Sequence, residues 1–144
     1  MINPDNFADY IPRITPQWAA GFLDGEGCIR AQLREYELQL VVQITQRDPT
    51  PLVMLQARFG GSVSKCGSSS KRVYQLSWHG SGCEAFLLEV KDFVVVKRDL
   101  VDLALELCRF VGPRGSKIHA MMNHPKRLEL VTKMQEIMKL NHSI

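Results

Sequence analysis

From Cys28 to Thr45 apolar and polar residues alternate almost without a break, and this pattern leaves the chain little freedom in how it folds. In the first run Ile29, Ala31 and Leu33 fall on one side and Arg30, Gln32 and Arg34 on the other. After a turn at Glu35-Tyr36-Glu37, Leu38, Leu40, Val42 and Ile44 alternate with Gln39, Val41, Gln43 and Thr45. A period of two belongs to strands, so the segment reads as a hairpin with one apolar face and one face of arginine and glutamine. The apolar face must be covered by other elements. A slip of one residue would turn Ile29, Ala31 and Leu33 outward, so the register is strongly specified.

A second, weaker alternation follows at 62–66 and 72–78, joined by the Gly67-Ser68-Ser69-Ser70-Lys71 loop. Val63, Tyr74, Leu76 and Trp78 point inward; Ser62, Ser64, Gln75 and Ser77 point outward. Elsewhere the periodicity is helical. Thr15-Pro16 offers an N-cap and a first-turn proline for a helix to about residue 25. Asp48-Pro49 repeats that start before a helix over 52–59, which Gly60-Gly61 stops. Phe86, Leu87, Val90, Phe93 and Val94 predict a helix from Ser81, and Leu100, Val101, Leu103, Ala104, Leu107 and Cys108 predict another over about 98–110. After a break at Gly112-Pro113-Arg114-Gly115, Asn123 or His124 caps a last helix over 125–140. The order α-β-β-α-β-β-α plus C-terminal helices predicts one α+β domain over 1–144, with its core at about 15–111 and a helical extension at about 112–144. Its four antiparallel strands carry helices on one face, and no segment remains to cover the other.

Charge is unevenly placed. The net +3 resolves into −3 over 1–26, +4 over 27–80, −2 over 81–111 and +4 over 112–144. The basic excess lies on strands and in the C-terminal region, which suits a polyanion better than a membrane surface. No apolar run approaches the roughly 20 residues of a membrane span, and residues 1–13 have no signal-like apolar core. Cys28, Cys66, Cys83 and Cys108 form no CxxC pair, so reduced thiols of an intracellular protein are expected rather than a zinc site. Bacterial or phage cytoplasm and an organelle matrix fit equally well.

The helix over 16–25 is unusual in composition. Trp18, Phe22 and Leu23 make an apolar stripe, while Ala20, Gly21 and Gly25 leave another face nearly bare. A glycine in a helix interior costs about 0.5–1 kcal/mol relative to alanine, so two of them at i, i+4 call for a reason. Close approach of a second backbone supplies one, a device best documented in membrane helices. Glu26 stands at the end of this helix, between Gly25 and Gly27, glycines that can terminate it. A second helix packed on the bare face would bring two acids together.

Residues 19–27, Ala-Ala-Gly-Phe-Leu-Asp-Gly-Glu-Gly, resemble the nine-residue signature of the LAGLIDADG homing endonucleases. Small residues stand at its second and third positions, apolar ones at the fourth and fifth, Asp24 at the sixth, Glu26 at the eighth and Gly27 at the ninth; Ala19 replaces a bulky aliphatic at the first. The resemblance covers about 15–111 and implies the αββαββα LAGLIDADG endonuclease-like fold. It implies a homodimer joined through Ala20, Gly21, Asp24 and Gly25, because one chain holds one motif. It implies Mg²⁺ (or Mn²⁺) on the Glu26 carboxylate and the Gly25 carbonyl, and catalytic roles for Glu26, Gln46 and Lys97. In the family, the glutamine orders water and the lysine polarises water or neutralises the transition-state phosphate. The basic residue often found a few positions beyond the glutamine has no clear counterpart, since Asp48-Pro49-Thr50-Pro51 follows Arg47.

The polar sheet face adds an independent indication. Arginine forks onto guanine, glutamine pairs with adenine, and serine adapts to either. Arg30, Gln32, Arg34, Gln39, Gln43, Ser62, Ser64 and Gln75 are therefore expected to contact bases of double-stranded DNA, and Lys71 and Arg72 to contact phosphates or distal bases. The expected activity is site-specific cleavage of a long pseudo-palindromic duplex, with neither a small-molecule substrate nor a membrane involved. Competing readings are an RNA splicing maturase, a DNA-binding regulator that does not cut, and a ligand-binding α+β domain. A retained Glu26 argues against pure binding, and a sheet face free of acids argues against the last.

Overall fold

Thr15 caps its helix as the sequence predicts: Oγ1 accepts a hydrogen bond from the Trp18 amide at 3.1 Å, and Pro16 opens the first turn. The computed structural model describes residues 7–34, 37–67, 72–109 and 125–142. Within them a short helix α1 (Phe7–Tyr10) and a 3-10 turn (Ile11–Arg13) lead into α2 (Pro16–Glu26). There follow β1 (Gly27–Arg34), β2 (Glu37–Gln46), α3 (Thr50–Phe59), β3 (Ser62–Cys66), β4 (Val73–His79), α4 (Gly80–Val90), α5 (Arg98–Cys108) and α6 (Pro125–His142). The turn at residues 35–36, the Lys71 loop position, the break at 112–115, the caps at Asn123 or His124, and the side chains of Leu33 and Arg34 lie outside the described residues.

The four strands form one antiparallel sheet in the order β1-β2-β4-β3. Each hairpin pairs internally, and the hairpins join where Val42 faces Trp78 and Ile44 faces Leu76. On one side Ile29, Ala31, Leu38, Leu40, Val42, Ile44, Leu76 and Trp78 are buried, as the alternation requires. The helices cover that side. Trp78 stacks on Phe86 of α4 at 3.8 Å between ring centroids, Phe86 meets Phe59 of α3 edge-on at 5.5 Å, and the Trp78 indole N–H donates to the Phe59 carbonyl at 3.2 Å. Burial pushes the Cys83 thiol up to about 12 and the Cys108 thiol up to about 11, with Cys108 and Glu84 adding to the shift at Cys83. Both thiols stay protonated and serve as packing groups.

The C-terminal helix has a definite place. Leu130, Val131 and Met134 of α6 are buried against α5 and β1, and Gln135 Nε2 donates to the Ala31 carbonyl on the edge strand at 3.4 Å. This helps to shield a strand edge that would otherwise be open to pairing. Arg127 is also buried, and its Nε and Nη1 have no hydrogen-bond partner among the described residues.

Several local expectations are corrected. The fourth helix ends at Val90 rather than Val94, because a turn takes over there; its amides from Phe93 and Val94 bond back to the Val90 carbonyl and preserve the spacing that mimicked a helix. Asp48 lies one residue outside the cap position, held by Pro49, yet its Oδ1 accepts from the Thr50 amide at 3.0 Å. That bond holds the Asp48 carboxyl below the usual carboxylate range. Gly60 and Gly61 stop α3 with φ of 76° and 96°, the left-handed region that glycine enters freely. Gly27 ends α2 differently, in extended backbone with φ −90°. It is required for space: a Cβ there would lie 2.8 Å from the Leu23 carbonyl oxygen. Gly27→Ala should therefore destabilise the fold by about 1–3 kcal/mol, the usual range for overpacking, measured by urea denaturation.

Candidate nucleic-acid interface and catalytic centre

The α2 helix buries Ala19, Ala20 and Leu23 and turns Gly21 and Gly25 outward. A Cβ added at either glycine would meet nothing within 4 Å. Trp18 does not join the buried stripe. It is 39% exposed and stacks on half-buried Phe22 at 5.1 Å, so the two aromatic rings flank the bare glycine face. The helical wheel explains this: Trp18, Phe22 and Gly25 lie within one 60° sector, and Leu23 lies on the far side. Ala20, grouped with the glycine face in the sequence, is buried within its own chain and presents nothing to a second copy.

Asp24 is likewise engaged inside the chain. Its Oδ2 accepts from the Val95 amide at 2.8 Å and its Oδ1 from the Lys97 amide at 2.9 Å. Lys97 answers with its side chain: Nζ donates to the Asp24 backbone carbonyl at 2.7 Å. A helix carries partial positive charge at its N-terminus and partial negative charge at its C-terminus. Lys97 is the N-cap residue of α5, yet its ammonium reaches across to the C-terminal end of α2. The Asp24 carboxylate sits in turn at the start of α5. Each charge has settled at the helix end that favours it.

Lys97 thus lies beside the residue that precedes Gly25 and Glu26, although 73 positions separate Lys97 from Asp24. Glu26 is exposed at the last position of α2. Gln46 arrives from β2. Gly27 pairs with Ile44, and β2 runs two residues further, so half-buried Gln46 falls on the helix-covered side of the sheet near the corner where α2 ends. The three residues singled out as catalytic therefore come from elements that converge on the foot of α2. The Gly25 carbonyl belongs to the last turn, whose carbonyls lack intrahelical partners. Among the described residues no group of three or more His, Cys, Asp or Glu side chains could hold a metal ion. The Glu26 carboxylate and the Gly25 carbonyl are oxygen donors of the kind Mg²⁺ takes.

The opposite sheet face is open. Arg30, Gln32, Thr45, Ser62, Ser64 and His79 are exposed on it, with Gln39, Val41, Gln43 and Gln75 half-buried between them. No described side chain at these outward positions carries a carboxylate, but Glu37, read from the sequence as a turn residue, opens β2 at an outward register position opposite Arg34. Two pairs are organised: Arg30 Nη2 donates to Gln43 Oε1 at 2.5 Å, and Gln75 Nε2 donates to Ser77 Oγ at 2.9 Å. Ser77 is only 6% exposed despite its outward register. Thr45 and His79 join the face without having been singled out; alternation alone could have placed them there. Arg72 is exposed just before β4. Among the described residues no helix is long and apolar enough to cross a membrane.

No family model matches the chain, and no curated protein matches it in sequence. Solved structures do match. The homing endonuclease I-CvuI in complex with its target is 21% identical, with 86% of this chain and 92% of that chain covered at a TM-score of 0.60. The homing endonuclease I-TnaI is 24% identical, with 83% and 87% covered at 0.61. The LAGLIDADG meganuclease I-AabMI bound to uncleaved DNA is 20% identical at 0.67, covering 84% of this chain but 43% of that one. The chain has the fold of the LAGLIDADG homing endonucleases.

Proposed function

We propose that the chain is itself a LAGLIDADG homing endonuclease: a homodimer that cleaves both strands of a long, near-palindromic DNA site with the help of Mg²⁺ or Mn²⁺. The observation that supports this reading is the hydrogen bond from the Lys97 ammonium to the Asp24 carbonyl, in the last turn of a helix that ends at exposed Glu26 and turns Gly21 and Gly25 outward. Two such helices packed about a two-fold axis bring two Glu26 carboxylates together, and closely spaced like charges favour bound divalent cations. The lengths of the matched structures agree. I-CvuI is spanned nearly whole, whereas the I-AabMI chain is more than twice as long as the stretch matched here. Two copies of this chain would supply the equivalent of one such longer molecule.

When bound, the metal supplies an activated water and stabilises the leaving oxygen. The chain's own residues do the rest. Glu26 and the Gly25 carbonyl would hold the ion, Gln46 orders water at the end of β2, and Lys97 places a positive charge toward the phosphate. The open sheet face lies in the major groove, with Arg30, Gln32, Arg34, Gln39, Gln43, Ser62, Ser64 and Gln75 toward bases and Lys71 and Arg72 toward the backbone.

The direct test is a supercoiled plasmid carrying the DNA that flanks the coding sequence, rejoined without it. Linearisation with Mg²⁺ and none with EDTA is expected. Specific binding without cutting in any divalent metal would make the chain a regulator instead, and failure to bind duplex DNA would remove the reading altogether. Specificity gives a second check. Arg30→Ala should lose about 1–3 kcal/mol of discrimination, and the change should appear at two mirror-related base positions in a target-site profile, one per half-site.

A further inference from the structure

We propose that Asp24 is the positioning residue for Lys97: it docks the α4–α5 connection onto the end of α2 and so sets the Lys97 ammonium beside Gly25 and Glu26. The inference rests on the endonuclease reading above. Both Asp24 carboxylate oxygens are engaged by backbone amides, those of Val95 and Lys97, while the ammonium is anchored on a neutral carbonyl. The distinction matters chemically. A direct ion pair would neutralise the lysine, and among the described residues no ion pair involves Lys97. An ammonium has three donors. One is used on the Asp24 carbonyl, so the full charge and two donors remain for a phosphate oxygen or a water.

The Lys97 backbone is also tied to the start of α5, where its carbonyl accepts from the Val101 amide at 2.9 Å. Val95 and Val96, the two residues before it, are 77% and 74% exposed, so beyond buried Val94 no apolar packing fixes the approach to Lys97. The N-cap of α5 is itself an unfavourable place for an ammonium. The carboxylate is the feature that reconciles these facts. It satisfies two amides that precede or open α5, and it brings negative charge to that helix start. Asp24 acts through Lys97 and need not touch DNA.

The test uses the full chain and the plasmid target described above. Asp24→Asn keeps the size of the side chain but leaves one acceptor oxygen, so one amide loses its partner. Single-turnover cleavage should fall about 10–100-fold, as for other groups that orient a site residue, while duplex affinity without divalent metal changes less than about twofold. In a Lys97→Met background the same substitution should cost nothing further, because both act along one route. Multiplying losses in the double variant would overturn the proposal. Hydrogen exchange on the unmodified protein provides an arm independent of variant folding: the Val95 and Lys97 amides should be protected although Val95 and Val96 are exposed, and unprotected amides would overturn it. Wild-type cleavage by Lys97→Met would also overturn it, through the catalytic reading on which it rests; protected amides alongside would show that the fault lies with the lysine's role and not with the docking.

Discussion

Glu26→Gln should abolish cleavage, with a loss of about a thousandfold or more, while specific binding of the target duplex persists. Removing a single well-placed electrostatic group from a hydrolytic site already costs about 10²–10³-fold. Here the proposed dimer loses two, because each subunit contributes its own Glu26. Glutamine keeps the shape but removes the charge that a divalent cation needs from this ligand. Glu26 is exposed at a helix end, so the substitution should leave the melting temperature unchanged. Gel-shift titration without metal and plasmid linearisation with Mg²⁺ measure the two properties separately. A Glu26→Gln protein that linearises plasmid at near the wild-type rate would show that the catalytic centre lies elsewhere.

Gly21→Leu should separate subunits without unfolding them. Within one chain the position is exposed, and an added Cβ meets nothing within 4 Å, so the leucine has room in the isolated subunit. Between two packed α2 helices it has none, and overpacking of a close interface costs about 1–3 kcal/mol or more. Sedimentation should show the dimer dissociating at concentrations where the wild type remains paired. Gly21→Ala sharpens the comparison, because its effects on subunit and dimer have opposite sign. The helix of each subunit gains about 0.5–1 kcal/mol from the replaced glycine, yet the helix contact weakens. A wild-type protein that sediments as a fully active monomer would contradict the two-fold arrangement.

Much of this fold was legible because strand alternation is a local signal. The inward set Ile29, Ala31, Leu38, Leu40, Val42 and Ile44 was read from spacing alone and is buried as a group. The Thr15 cap and the Gly60-Gly61 stop were equally local. What escaped depends on partners distant in the chain. Trp18 has the composition of a core residue, but its exposure follows from which side of α2 the sheet occupies. Asp24 sits within the motif helix, and nothing nearby in sequence reveals that its acceptors serve amides 71 and 73 residues away. Ser77 reads as outward and is outward in register, yet the Gln75 amide closes over it. At the candidate site, the resemblance to the family signature pointed to Glu26, Gln46 and Lys97; the reciprocal exchange of charge between two helix ends had no local trace.

If the open face binds DNA as proposed, the separation of the sheet into a packed side and an open side bears on how such a chain could change its target over time. Most outward side chains take no part in the core, so substitutions at Gln32, Ser62 or Ser64 can accumulate with little effect on stability, and a drifting DNA site can be followed one position at a time. The pairs Arg30–Gln43 and Gln75–Ser77 are different, because each member is held by the other. Altering one alone strands a polar partner, and when Gln75 is altered the stranded partner, Ser77, is buried. Selection for a new target would therefore move singly across most of the face and in coupled steps at these two places, which makes them the slow characters of an otherwise rewritable surface.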